Sequence, residues 1–335
     1  MKNITGRRLN STARYNIVLF IVLMFFVGLF TFANPDFLSW YNINLLFRQN
    51  LPNIIIACAM MFVITSGAID LSVGGVMALS AITYAAICVA GVDPWLAVAI
   101  VAFMGILIGV INTVIIEVLQ IPAFMATIAG WLIYGGLAFT VCGGPNPISK
   151  PAMQVITVID NIKIFGSIRL AIPIVILIVL IFLFLEKKTV LGKYSIAIGG
   201  NFNAAYYSGI NVKKMRLVLF ILCSLMAALS GVWQVARLST ADPRCIGLGV
   251  EFAVLSACIV GGVNIKGGQG SVLGVVMGVL LLAVLILGIP MSWKSDIPDF
   301  LRWVKSPYLT QVLIGTVMLI VVFINYLAGR GKNYD

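Results

Sequence analysis

The sequence predicts an all-α, polytopic integral membrane protein of about ten spanning helices, and three observations carry that expectation. Hydrophobic residues make up 61% of the 335, while Asp, Glu, Lys and Arg together make up only 10%. A soluble domain carries roughly a quarter charged residues to cover its surface. The apolar residues are also gathered into ten runs, most of them near the ~17–25 residues that a helix needs to cross a bilayer. Finally, the connections between runs are mostly short and leave no room for a soluble catalytic module, so residues 1–335 read as one integral membrane domain.

In chain order the runs are Ile17–Ala33, Leu51–Ser66, Leu71–Val89, Trp95–Leu119 and Ile121–Val141, then Leu170–Leu185, Leu217–Val235, Val250–Val263, Ser271–Ile289 and Leu309–Leu327. The first follows Arg7, Arg8 and Arg14, but its flank Asn34-Pro35-Asp36 offers no small-x-small cleavage site, so it is expected to be a retained span. The eighth is short and bounded by glycines, the pattern of a broken or tilted span buried in protein. In the fourth run Gly105 and Gly109, and in the ninth Gly270, Gly274 and Gly278, recur every four residues, which clears a stripe for close helix packing. Three connections are long enough to fold: 142–169 and 290–307, expected outside, and 186–216, expected inside. The second carries Trp293, Phe300 and Trp303 among charges and suits an interfacial amphipathic helix.

Ten spans place both termini on one side. With the N-terminus inside, thirteen Lys and Arg fall on cytoplasmic segments and nine on external ones. The two densest clusters, at the N-terminus and at 187–216, both fall inside. Since cytoplasmic loops carry the excess of Lys and Arg, the expected orientation is N-in, C-in. The formal net charge of +11 is assigned to those loops and not to nucleic-acid binding.

Catalysis has few candidates. There is no histidine, which excludes a Ser-His-Asp triad, a Cys-His pair and a His-ligated metal. There is no phosphate-binding loop of the form G-x-x-x-x-G-K-[ST], so the chain has no ATPase site of that kind. The six cysteines lack zinc or redox spacing and read as small hydrophobes. No catalytic residue, cofactor or metal is expected, and transport is.

The segment Gly67 to Gly75 interrupts two apolar runs with Asp70, Ser72 and several glycines including Gly74. Asp70 and Ser72 can cap the next helix, or the glycines can form a hinge beside a pathway with Asp70 fixing the turn, since an ionisable group at this depth is costly. Five spans later Gly261 to Gly268 leads into another helix, a loose echo that would have opposite topology, as in transporters built from inverted repeats. Pro122 opens the fifth run, and Phe124 and Thr127, three apart, could offer a stacking ring and a hydroxyl to a sugar or pack in the core. Glu251 starts the eighth run, either as a cap or at the external mouth. Asp70, Glu117 and Glu251 would be the relays of an ion-coupled carrier, the alternative mechanism.

The internal segment is the most informative. Two clusters of small residues, Ala197-Ile198-Gly199-Gly200-Asn201 and Ala204-Ala205-Tyr206-Tyr207-Ser208-Gly209, contain no acid. They suit a short helix begun at Asn201 and ended at Gly209. It would lie either in a groove of another protein or on the membrane surface.

Four motifs in order resemble the permease subunits of bacterial ATP-binding cassette importers for monosaccharides of the ribose, xylose and galactose group. They are Gly67 to Gly74, Pro122 to Ala129, Ala197 to Asn201, and Gly261 to Ser271, and the likeness runs from about Leu38 to Asn325. Ala68, Ala129, Gln269 and Ala253 depart from the usual pattern, which leaves the class intact but not the sugar; permeases for the furanosyl signal autoinducer-2 share much of it. The resemblance implies a bacterial inner-membrane location, a second permease copy (identical or paralogous), two ATPase domains on a separate subunit, and a periplasmic or lipoprotein sugar-binding protein. It also implies that Gly199, Gly200, Asn201, Ala204, Ala205, Ser208 and Gly209 form a coupling helix on the ATPase. Asp70, Ser72, Gly74, Phe124, Thr127 and Glu251 are the residues expected along the translocation pathway.

Overall fold

The structure is a computed structural model. It describes residues 11–144, 148, 162–164 and 168–292, and positions 312, 315, 316 and 319, which are helical. Among these residues the elements are α1 (Ser11–Ala33), a short 3-10 turn (Pro35–Leu38), α2 (Trp40–Thr65), α3 (Val73–Val89), α4 (Pro94–Glu117) and α5 (Ala123–Cys142). Two strands follow, β1 (Lys163–Ile164) and β2 (Ile168–Arg169), paired antiparallel with Lys163 opposite Arg169. The rest are α6 (Ala171–Lys188), α7 (Val190–Gly200), α8 (Phe202–Tyr207), α9 (Val212–Leu238), α10 (Val250–Val260) and α11 (Val272–Ser292). The first nine expected runs each coincide with a helix. Of the tenth, Leu309–Leu327, only positions 312, 315, 316 and 319 are described, and most of 290–307, where the amphipathic helix is expected, and most of the 142–169 loop lie outside the described residues.

Six of these helices are long and apolar enough to cross a membrane: α1, α2, α4, α5, α9 and α11. Helix α6 is equally apolar until it ends on Glu186-Lys187-Lys188. The molecule is built inside out relative to a soluble protein. Large apolar side chains such as Phe32, Met125 and Leu132 are exposed along α1 and α5, while the core gathers on α2. There Ile56, Met60 and Phe62 are buried, and α9, α11, α6 and α10 pack around them. Helix α2 begins eleven residues before the run that the hydropathy marks. Its first half carries Asn44 and Asn50, whose amides donate to the carbonyl oxygens of Trp40 and Leu46 one turn back, so the polar residues stay inside the helix.

Glycine sets the closest approaches. Gly105 and Gly109 seat α4 on α9, where a Cβ at Gly105 would stand 2.7 Å from that of Ala228. Gly75 seats α3 on α5, against the Trp131 carbonyl. Gly274 and Gly278 seat α11 on α10, against the carbonyl oxygens of Gly261 and Ala257. Without a hydrophobic drive between helices in lipid, such small-residue stripes let backbones meet and maximise dispersion.

Helix α10 has eleven residues, a rise of ~16 Å, about half of a bilayer core. The Tyr15 hydroxyl donates to the Val260 carbonyl (2.8 Å), so α10 ends level with the start of α1. Its other end, with Glu251, therefore stops near half-depth, and the chain reaches it through residues 239–249, turned by Gly247 and Gly249 at positive φ.

Candidate functional site

At half-depth two segments distant in sequence meet. The Glu251 side chain is 2% exposed. It lies directly against the Cα of Gly74, where a Cβ would overlap its carboxylate and stand 2.6 Å from the Gly247 carbonyl oxygen. Neither carboxylate oxygen has a hydrogen-bond partner among the described residues. Gly74 and Glu251, each expected on the pathway from its own segment, are thus neighbours.

Beside them a buried polar chain joins three elements. Asp70 Oδ1 accepts from the Ser72 N–H (3.0 Å) and from its hydroxyl (2.5 Å). The Asn112 amide on α4 donates to Ser72 Oγ (2.9 Å), and the Tyr134 hydroxyl on α5 donates to Asn112 Oδ1 (2.9 Å). Asp70, Ser72 and Asn112 are completely buried. Ser72 makes no capping bond to α3; its hydroxyl bridges Asp70 and Asn112 instead. Thr127 is buried, donates to the Ala123 carbonyl (2.8 Å) and lies 3.3 Å from the Ile69 carbonyl oxygen. Phe124, 53% exposed, faces outward, so α5 does not present that ring and that hydroxyl on a common surface. Sequence reasoning missed Asn112 and Tyr134. The available signal was an Asn inside the apolar fourth run, which must find a partner in hydrocarbon.

A second centre lies at the end of the molecule where Arg14, Lys187, Lys188, Lys193, Lys213, Lys214, Arg216 and Lys266 gather, through the paired ends of α1, α2, α4, α6, α9, α10 and α11. Here Gly199, next to last in α7, packs its backbone on the Thr65 carbonyl and on the Gly268 N–H. The Gly268 N–H donates to the Thr65 carbonyl oxygen (2.9 Å). Gly67 and Gly267, both at positive φ, complete the junction. The two glycine segments that echo each other in sequence therefore meet on Gly199.

The expected short helix is α8, and Gly199 and Gly200 belong instead to the end of α7. Asn201 ends α7 and caps α8 by accepting from the Ala204 N–H (3.0 Å), and Gly209 closes α8 at φ +83. Gly200, Asn201, Ala204, Ser208 and Gly209 are exposed, as are Phe202, Tyr206 and Tyr207, the last at 86%. Ala205 is only 5% exposed and anchors α8 on the core. Of the residues expected to couple, Gly199 and Ala205 thus face inward, and the others face out.

Apolar spans, a half-length helix meeting a glycine-rich break at half-depth and an outward cap of small residues define a multi-pass transport subunit. Residues 42–322 match the family described as branched-chain amino acid transport system / permease component, and the chain belongs to it. It is 35% identical to the ribose import permease protein of Haemophilus influenzae, over 79% of this chain and 82% of that one. It is also 33% identical to the ribose import permease protein of Bacillus subtilis, over 91% of each. With the D-allose transport system permease protein of Escherichia coli it shares 32% identity, over 81% and 82%. No solved structure gives a significant match.

Proposed function

We propose that the chain is the permease subunit of an ATP-binding cassette importer in the bacterial inner membrane. It passes a pentose or hexose, handed over by an external binding protein, between itself and a second permease copy, identical or paralogous. The ATP is hydrolysed on a separate subunit with two nucleotide-binding domains. The observation that carries this reading is α8: a six-residue helix closed at both ends, held by Ala205 and showing Tyr206 and Tyr207 outward at the basic end. The basic residues favour that end as cytoplasmic, which is where an ATPase would sit. Displacement of α8 and α7 would reach the Gly199 junction and, through residues 66–72 and 261–271, the half-depth meeting of Gly74 and Glu251, opening one side as the other closes.

The test uses Gly200→Glu. A Cβ at Gly200 would meet nothing within 4 Å, so the variant is expected to insert normally while losing copurification with the ATPase subunit and uptake of labelled ribose. Normal uptake would refute the coupling role. A second reading, an ion-coupled carrier, draws on the buried carboxylates of Asp70 and Glu251. It requires uptake by the chain alone in vesicles, abolished by a protonophore.

A further inference from the structure

The strongest unassigned cluster lies where α8, α9 and α4 come together. Arg216, in the second turn of α9, donates from Nη1 to Glu117 Oε1 at 2.8 Å, with side-chain exposures of 20% and 11%. Its guanidinium also lies 5.6 Å from the ring centroid of Phe202, the first residue of α8. Helix dipoles do not explain these charges. Glu117 is the last residue of α4, where the dipole disfavours an anion, and Arg216 stands near the start of α9, where it disfavours a cation. Each is placed against its own helix and toward the other.

What the pair joins is specific. On one side is α8, linked to α9 by residues 208–211 alone. On the other is α4, whose Asn112 lies five residues back from Glu117 and bonds Ser72. From Glu117 the chain turns into α5 through five residues, tightened by Gln120 at φ +56 and by its amide, which donates to the Glu117 carbonyl oxygen (2.6 Å). Planar, permanently charged Arg can hold a carboxylate and an aromatic face at once, which Lys cannot.

We propose that Arg216 is a positioning residue that clasps α8 to the end of α4. A push on α8 is then delivered to α4, α5 and the Asp70–Ser72–Asn112–Tyr134 chain, and is not lost in the 208–211 turn. This rests on the reading of α8 as the ATPase contact.

The experiment uses the full complex with its ATPase subunit in vesicles, with labelled ribose as the transport probe. Arg216→Ala and Glu117→Ala are expected to bind the ATPase and hydrolyse ATP while uptake per ATP falls about tenfold, the size such coupling terms reach. The charge-swapped pair Glu117→Arg/Arg216→Glu should recover part of the loss. Arg216→Lys, which keeps the charge, and Phe202→Leu, at an exposed position, should lie between and serve if the alanine variants do not insert. Spin labels at Asn203 and Val118, both exposed, give a readout independent of the sugar: on adding a non-hydrolysable ATP analogue their separation should hold in the wild type and widen in Arg216→Lys. Unchanged uptake per ATP in these variants, a swap no better than either single change, or equal separations in both forms would overturn the clasp. An ATPase that does not bind the wild-type chain at all would overturn the reading of α8 as well, which separates the two failures.

Discussion

Gly74 carries a hydrogen where other residues carry a Cβ, and that hydrogen faces the Glu251 carboxylate and the Gly247 carbonyl. Gly74→Ala is expected to lower stability by about 1–3 kcal/mol through overpacking, read as a fall in Tm in detergent. Gly135→Ala, on α5 where an added Cβ would meet nothing within 4 Å, should instead be neutral or stabilise by about 0.5–1 kcal/mol. The polar chain invites a double-mutant cycle. Asn112→Ala removes the donor to Ser72 Oγ and strands the Tyr134 hydroxyl and should cost about 1 kcal/mol, within the range for bonds between membrane helices. Tyr134→Phe added to it should cost little more. In the 239–249 loop, Arg244 hydrogen-bonds the Asp242 carboxylate and holds it below the usual carboxylate range. A lowered carboxylate stabilises above its unfolded value, near 4, and that contribution is lost as pH falls through the folded value. Hydrogen exchange at Ile246, whose N–H donates to the Asp242 carbonyl, should therefore speed up on acidification relative to Arg244→Gln. Of these residues, Asp70, Ser72, Gly74 and Glu251 stand out in sequence because each interrupts an apolar run. Asn112 interrupts its run as well, but it and Tyr134 acquire their meaning only from each other, across two helices.

At the scale of elements, hydropathy marks the spans because lipid rewards apolar surface and forbids unpaired backbone. Their ends are less legible. Helix α2 begins early because its asparagines bond their own turns, and α9 begins at Val212 and not Leu217 because Asn211 accepts from the Lys214 N–H. The division of the internal segment into α7 and α8 also follows from a cap: Asn201 takes an extended conformation between them. Asn201→Ala should cost about 1 kcal/mol locally and raise proteolysis at residues 200–210 without disturbing the spans. Nothing along the chain announces that Ala205 faces in while Ala204 faces out, because the short helix takes its facing from the core beneath it.

For the whole molecule, sidedness is the property most open to test. Cys245, in the 239–249 loop that follows the end of α9 opposite the basic cluster, is exposed, and Cys58, Cys88, Cys223 and Cys258 are buried. With the basic end cytoplasmic, an impermeant maleimide added to intact spheroplasts should label Cys245, while Ser208→Cys in a Cys245→Ser background should react only after the membrane is opened. The reverse pattern would invert the molecule and remove α8 from any ATPase. The Gly199 junction has a consequence of another kind. Three stretches of main chain touch there with no rotamer between them, and peptide planes have no alternative staggered states into which a shove could dissipate. Movement entering at α7 must leave through Thr65 and Gly268 almost undamped, and replacing Gly199 with even one extra methyl would jam the bearing.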